Sequence, residues 1–329
     1  MLEQIPIAVK VEQDLNHRPV LMASDKTRSF RRLWDPNPQL RDVDWGHVEL
    51  ISWKDKTGWE YHADLIRPPG FSAGKRYPLL IQTHGYASNW FLTSGTTTSF
   101  VAQECASADM VVVQMDWNGR HFNEAGEAQD QVEGFKSLVE KLDRERIIDP
   151  TKIGLMGWSR SVYHTYAALV ANSPKLAAAS VIEGVNFGYW DYLSSIDASS
   201  RTAGSAPSQT LHMVGARPAG AGLRKWMRHS LMFNLDRVRT PLLMLEPGAR
   251  DLLDDWEPYA QLYSLGKPVD LVLLPEGTHV PTTPQQRLLT QQLNVDWFRF
   301  WLEGEEDPDP NKSEQYSRWR QLQRAGHLN

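Results

Sequence analysis

Apolar runs of strand length recur along most of the chain, with helix-length stretches between them. The runs are PLLIQTH (78–84), MVVVQMDW (110–117), KIGLMGW (152–158), AAASVIEG (177–184), PLLMLE (241–246) and VDLVLLP (269–275). Their hydrophobicity is continuous rather than alternating, which is typical of strands buried on both faces of a parallel sheet. The alternation of strands with helices predicts a doubly wound α/β fold, with a mostly parallel sheet and helices on both faces.

Other regions fall outside this alternation. Residues 47–53 and 59–66 predict an antiparallel hairpin at the sheet edge. Residues 1–44 carry too little apolar material for a core of their own, so we expect them to pack on something else and the main domain to span 45–329. Residues 185–239 leave the sheet after Glu183 and predict a lid-like insertion, because loops carry function while the sheet holds geometry. The tail SEQYSRWRQLQR predicts a short solvated helix.

Composition excludes several function classes. The chain has 35 Lys and Arg against 40 Asp and Glu, a net charge of -5, and no long basic run, so nucleic acid is not an expected partner. A single cysteine, Cys105, excludes an internal disulfide framework and a cysteine-based zinc site. No metal is predicted, because metal-ligand spacing is absent among five histidines: His62, His121, His164, His212 and His229.

No apolar run reaches the roughly 18 residues that a membrane span needs, and the start of the chain lacks the pattern of an export signal. As given, the sequence predicts a soluble, cytoplasmic protein without a membrane partner. A periplasmic location is the alternative if the sequence is a piece of a longer exported protein. The sequence carries no information on oligomeric state.

Ser159 is the candidate nucleophile. It lies in Gly157-Trp158-Ser159-Arg160-Ser161, between a predicted strand and a predicted helix. A nucleophile elbow needs a serine at such a turn, which lifts the hydroxyl above the sheet. The second glycine of G-x-S-x-G is replaced by Ser161, which weakens the motif. The alternative role for Ser159 is an ordinary helix N-cap.

The chain order serine, acid, histidine gives an independent check on this motif. Asp251 follows the strand 241–246 and His279 follows the strand 269–275, so both are placed at the carboxyl edge of the sheet. Asp254 and Asp255 are rivals for the acid, and Asp251 is favoured by its position after Gly248. The alternatives are a turn or helix-cap carboxylate for Asp251 and a loop histidine for His279.

Residues with binding roles are less specific in sequence. The loop after His84 is where hydrolases of this type place an oxyanion donor, and we assign the backbone N–H groups of Tyr86 and Arg160 to the oxyanion hole. The predicted substrate contacts are aromatic: Trp158, Tyr189, Trp190 and Tyr192. Burial in the core is the commoner role of such residues.

These motifs together resemble the catalytic domain of the prolyl oligopeptidase family of α/β-hydrolases. The resemblance covers residues 45–303 and rests on G-x-S at 157–159, G-x-x-D at 248–251 and E-G-x-H at 276–279. Residues 1–44 resemble the last blade and exit linker of that family's β-propeller. The family uses a tyrosine hydroxyl as oxyanion donor where this chain has His84, which is why the amide of Tyr86 is preferred. QTHGY, FLTSG, GWSRS and QYSRWR most closely resemble the lasso-peptide isopeptidases of the family.

The resemblance implies a serine peptidase that cleaves amide or isopeptide bonds of a peptide substrate through an acyl-enzyme, without metal or organic cofactor. Two other functions stay open at this point. A carboxylesterase would use the same triad, and turnover of amide against ester would separate the two. A catalytically dead hydrolase-fold binding module would not react covalently with a fluorophosphonate.

Overall fold

The computed structural model describes residues 7–25, 29–84, 91, 101–115, 120–196, 207–249 and 251–326, without the side chain of Asp251. Its strands fall into two sheets. The strands are β1 Ala8–Glu12, β2 Val20–Ser24, β3 Arg31–Trp34, β4 His47–Lys54, β5 Glu60–Arg67, β6 Tyr77–Thr83, β7 Val111–Met115, β8 Ile148–Ser159, β9 Ala178–Gly184, β10 Leu242–Glu246 and β11 Val269–Leu273.

The larger sheet has eight strands in the order β11-β10-β9-β8-β6-β7-β5-β4. Strands β6 to β11 pair in parallel, whereas β4 and β5 form an antiparallel hairpin and β5 pairs antiparallel to β7. The predicted hairpin and the six predicted parallel strands are therefore all present. The doubly wound α/β-hydrolase fold expected from the sequence is confirmed.

Helices cover both faces of this sheet. They are α1 Ala102–Ser107, α2 Glu127–Arg144, α3 Ser161–Ala171, α4 Tyr189–Ser194, α5 Pro207–Val214, α6 Leu223–His229, α7 Asp251–Ser264, α8 Pro284–Phe298 and α9 Ser313–Gly326. Within β6, Leu79 and Ile81 pack into a core with α2 and α3, while Leu80 packs into a second core with α1, α8 and α9. Because both faces of β6 are covered by helices, neither face carries solvent-exposed polar side chains, which explains its continuous hydrophobicity.

Two expectations from the sequence need correction. Helix α9 was expected to be solvated, but Tyr316 and Trp319 are buried and pack with Phe300 and Trp297. Because most residues of α9 are polar, its few apolar positions do not stand out in the sequence as a buried face. Strand β11 is not buried throughout, since Leu273 is exposed at the sheet edge.

The smaller sheet contains β1, β2 and β3, all antiparallel. Its register places Val11, Leu21 and Trp34 on one face, because directly paired residues point to the same side. Val11 and Trp34 are largely exposed. This sheet has little core of its own, as its composition predicts.

The insertion after β9 contains α4, α5, α6 and a 3₁₀ segment, Leu231–Arg237. Residues 197–206 of the insertion lie outside the described part of the chain. Among the helices that the structure describes, none combines the length and apolarity needed to cross a membrane.

Candidate active site

Ser159 is the last residue of β8, immediately before the turn into α3. Its φ angle is +56°, in the left-handed region that L-residues other than glycine seldom adopt. The N-cap of α3 is Arg160, without a side-chain capping bond, so Ser159 does not serve as a helix cap. A strained serine between a strand and a helix is the backbone signature of a nucleophile elbow.

The serine at position 161 explains how the elbow tolerates the absence of a second glycine. The Ser161 hydroxyl accepts a hydrogen bond from the Trp158 amide at 3.0 Å and lies within donating range of the Trp158 and Thr83 carbonyl oxygens. Gly157, in contrast, has no room for a side chain, because a Cβ would lie 2.3 Å from Thr165 Oγ1. Ser161 therefore ties the elbow to the end of β6 instead of weakening it.

The loops after β10 and β11 are joined to each other. Gly248 and Glu276 form an antiparallel bridge, and a Cβ on Gly277 would lie only 1.9 Å from Pro247 O. The G-x-x-D and E-G-x-H segments are thus packed backbone against backbone. Asp251 is the first residue of α7, but its side chain lies outside the described part of the structure, so its role as the acid stays a prediction.

His279 lies against Trp158, the residue that precedes the candidate nucleophile Ser159. Its ring stacks on Trp158 with centroids 4.9 Å apart, and its carbonyl accepts a hydrogen bond from Trp158 Nε1 at 3.2 Å. The His84 ring is 4.5 Å from the same indole. Trp158, which we predicted to contact substrate, is buried and holds His279 beside the elbow.

Glu183 is a site residue that the sequence reasoning did not select. It is the penultimate residue of the buried strand β9, and its Oε2 lies 2.9 Å from His279 Nδ1. The two atoms are within hydrogen-bonding distance, although neither makes a hydrogen bond of good geometry in the described structure. A carboxylate ending an otherwise apolar run, VIEG, was the available signal.

The chain is similar to proteins of known activity. The lasso peptide isopeptidase AtxE2 of Asticcacaulis excentricus is 29% identical over 328 residues, which cover 94% of this chain and 46% of that protein. The prolyl endopeptidase FAP of Homo sapiens is 25% identical over 144 residues, 40% of this chain and 18% of that protein. The solved apo structure of AtxE2 superposes with a TM-score of 0.80 at 26% identity, covering 97% of this chain and 50% of that one. The chain is thus similar to peptidases of the prolyl oligopeptidase family.

Acylaminoacyl peptidase of Pyrococcus horikoshii shares the fold, with a TM-score of 0.69 at 20% identity over 94% of this chain and 50% of that one. No family model matches the sequence. The family resemblance read from the motifs is confirmed. This chain spans about half the length of AtxE2.

Arg160, whose backbone N–H is one predicted oxyanion donor, is fixed through its side chain. Its guanidinium donates to both carboxylate oxygens of Glu127 at 2.9 and 2.6 Å, and His164 Nε2 lies 2.7 Å from the same carboxylate. Burial acts to raise the pKa of Glu127, but the hydrogen bonds from His164 and Arg160 outweigh it and hold that pKa at about 2. The other predicted donor, Tyr86, lies outside the described residues.

The predicted aromatic contacts of the insertion divide by exposure. Tyr189 and Trp190 are 38% and 43% exposed, whereas Tyr192 is buried edge-on against Trp226. Only the exposed pair can meet a substrate without rearrangement. Within the described residues no group of three or more His, Cys, Asp or Glu side chains could hold a metal ion.

Asp255, a rival for the acid, is buried beneath the end of β9. It accepts hydrogen bonds from Asn186 Nδ2 at 3.2 Å and from the Gly184 amide at 3.4 Å. Burial raises its pKa to about 7 although both hydrogen bonds act to lower it. These contacts make Asp255 a support for the segment that carries Glu183.

The pKa of Asp255 predicts a pH dependence of stability. The folded protein retains this proton up to about pH 7, whereas the unfolded chain releases it near pH 3.8, so stability falls between these values as pH rises. The free energy of unfolding should fall less between about pH 5 and 8 in Asp255→Asn than in wild type, by about 2 kcal/mol or more. Urea unfolding of both proteins at the two pH values measures this. Equal losses of stability in the two proteins would contradict the prediction. Burial also raises the pKa of Asp64 to about 6 and that of Glu303 to about 7, but these two residues are present in both proteins and contribute equally.

Proposed function

We propose that the chain hydrolyses amide or isopeptide bonds of peptides through an acyl-enzyme on Ser159. The observation that carries this proposal is the left-handed Ser159 at the end of β8, with His279 packed on the neighbouring Trp158. His279 takes the serine proton and returns it to the leaving amine, and Asp251 fixes the imidazole tautomer. The N–H groups of Arg160 and Tyr86 stabilise the oxyanion.

The substrate class that we propose is a lasso peptide. Support comes from the similarity to AtxE2, which is named a lasso peptide isopeptidase and was also solved as a serine-to-alanine variant with astexin3-dC4 bound. The scissile bond would then be the isopeptide bond between an N-terminal amine and an Asp or Glu side chain. The exposed aromatics of α4 offer a wall for such a threaded substrate.

Mass spectrometry of a mixed pool tests this function. The pool contains a lasso peptide, its linear counterpart and simple aryl esters. We expect the lasso peptide to gain the mass of one water and to open its ring. Turnover of esters alone would indicate a carboxylesterase instead, and an absence of all turnover together with no fluorophosphonate labelling would indicate a binding module.

Residues 1–44 are proposed to be the end of a β-propeller that precedes the catalytic domain. The exposed apolar face of the sheet β1–β3 supports this, because a blade packs its face against a neighbouring blade. The family resemblance of these residues points the same way.

The insertion 185–239 is proposed to supply substrate contacts. Trp190→Ala should raise KM about fivefold or more with kcat little changed, because it removes an exposed contact and leaves the nucleophile intact. Tyr192→Ala is the matched comparison. It should destabilise the fold by about 3 kcal/mol or more, because it empties a packed site. Steady-state kinetics and thermal unfolding of both variants separate the roles, and an unchanged KM in Trp190→Ala would remove Trp190 from the cleft.

A further inference from the structure

Glu183 is the extra residue of a β-bulge next to the nucleophile. In the pairing of β8 with β9, Trp158 lies opposite Ile182 and Ser159 lies opposite Gly184, so Glu183 has no partner. Its φ angle is +30°, which is strained for a residue with a side chain. Bulges next to active sites re-aim one side chain out of the regular alternation. Here the side chain that is re-aimed is a carboxylate.

The bulge points this carboxylate at the catalytic histidine. The Glu183 side chain is 7% exposed, and its Oε2 is 2.9 Å from His279 Nδ1. Neither of these two atoms has a hydrogen-bond partner elsewhere in the described structure. A buried carboxylate without compensation is costly, so the imidazole is the group that stabilises it.

Glu183 contacts Nδ1 of His279, and the partner of Nδ1 determines which nitrogen of the imidazole can accept a proton. When a carboxylate holds the proton on Nδ1, Nε2 is left free to accept the proton of the serine. We propose that Glu183 is a positioning residue for His279, a second carboxylate beside the one expected from Asp251. This inference deepens the proposed hydrolase function and rests on it.

The backbone around the bulge links Glu183 to the nucleophile strand. Val185 N donates to Ser159 O at 3.3 Å, and Gly184 N donates to Asp255. Gly184 has no space for a side chain, since a Cβ would lie 2.2 Å from Ser159 O. The segment can therefore approach the elbow closely, and these contacts hold the backbone around Glu183 next to the elbow.

Two variants separate positioning from a merely structural role. Glu183→Gln keeps the shape but removes the charge, and Glu183→Gly removes the carboxylate together with the backbone strain at φ +30°. For both we expect kcat on the lasso peptide to fall about 10- to 100-fold, the range that corresponds to losing a contact between a charged group and the imidazole, with KM within twofold of wild type. The melting temperature of Glu183→Gly should hold, because strain is relieved.

The matched control is Glu140→Gln, an identical change at an exposed side chain of α2. It should leave kcat and KM unchanged. The rate of fluorophosphonate labelling of Ser159 is measured on every sample, because it reports the activated serine without any peptide substrate. We expect this rate to fall in both Glu183 variants and not in the control.

The outcomes are distinguishable. If wild type is labelled and both Glu183 variants turn over and label within threefold of it, Glu183 does not position His279, while the hydrolase function stands. A fall in melting temperature at unchanged kcat in the folded fraction would likewise leave only a structural role and overturn the inference. If wild type itself neither labels nor turns over, the proposed function fails and the inference fails with it.

Discussion

Ser159→Ala is expected to lower kcat/KM on the peptide substrate by about 10⁴-fold or more, which is the usual consequence of losing a triad nucleophile. The variant should remain folded. Alanine keeps the Cβ and the positive φ of the elbow, and the support under the turn comes from Ser161 and Gly157 rather than from the Ser159 hydroxyl. Peptide affinity should persist, because the substrate contacts that we propose lie on other residues.

The measurement pairs steady-state kinetics with fluorophosphonate labelling and thermal unfolding. Ser264→Ala is a suitable control, since its hydroxyl bonds only locally to Gln261 O at the exposed end of α7. This control should match wild type in every assay. Turnover by purified Ser159→Ala at the wild-type rate would refute the assignment of the nucleophile.

Much of the fold follows from local pattern in the sequence. Strands such as β6 and β7 are apolar on both faces, and a chain that alternates such strands with helices has few arrangements that bury them. Elements at the periphery were harder to predict. The core residues Tyr316 and Trp319 are spaced among charged residues, and only the docking of α9 against α8 reveals them as buried.

The candidate site could be proposed from the sequence where it depends on chain order, but not where it depends on backbone geometry. Ser159, Asp251 and His279 were selected because each stands at or after the carboxyl end of a strand, and their catalytic roles stay predictions. Glu183 also lies near the end of a strand, but the direction of its side chain depends on a β-bulge. No residue pattern specifies a bulge between parallel strands. Ser161 was interpreted as a defect of the motif, because its hydrogen bonds to β6 and to Trp158 exist only in the folded chain.

Asp251→Asn is expected to lower kcat by about 10⁴-fold while the protein remains folded. An asparagine at this position cannot hold the imidazole in the tautomer that accepts the serine proton. The geometry that supports this expectation is the bridge between Gly248 and Glu276, which packs the loop leading to Asp251 against the loop leading to His279. Kinetics on the lasso peptide and the rate of fluorophosphonate labelling measure the effect independently.

Asp254→Asn is the matched control for this prediction, with the same chemical change one turn along α7. It should cost little, because the loop that leads to Asp251 is the one bridged to the His279 loop. A large loss of activity in Asp254→Asn with a benign Asp251→Asn would mean that the wrong carboxylate was chosen.

The double variant Asp251→Asn with Glu183→Gln should show a smaller fold-loss of kcat than the product of the two single losses. Both carboxylates act through one imidazole, and the effects of residues that act as a unit are not additive.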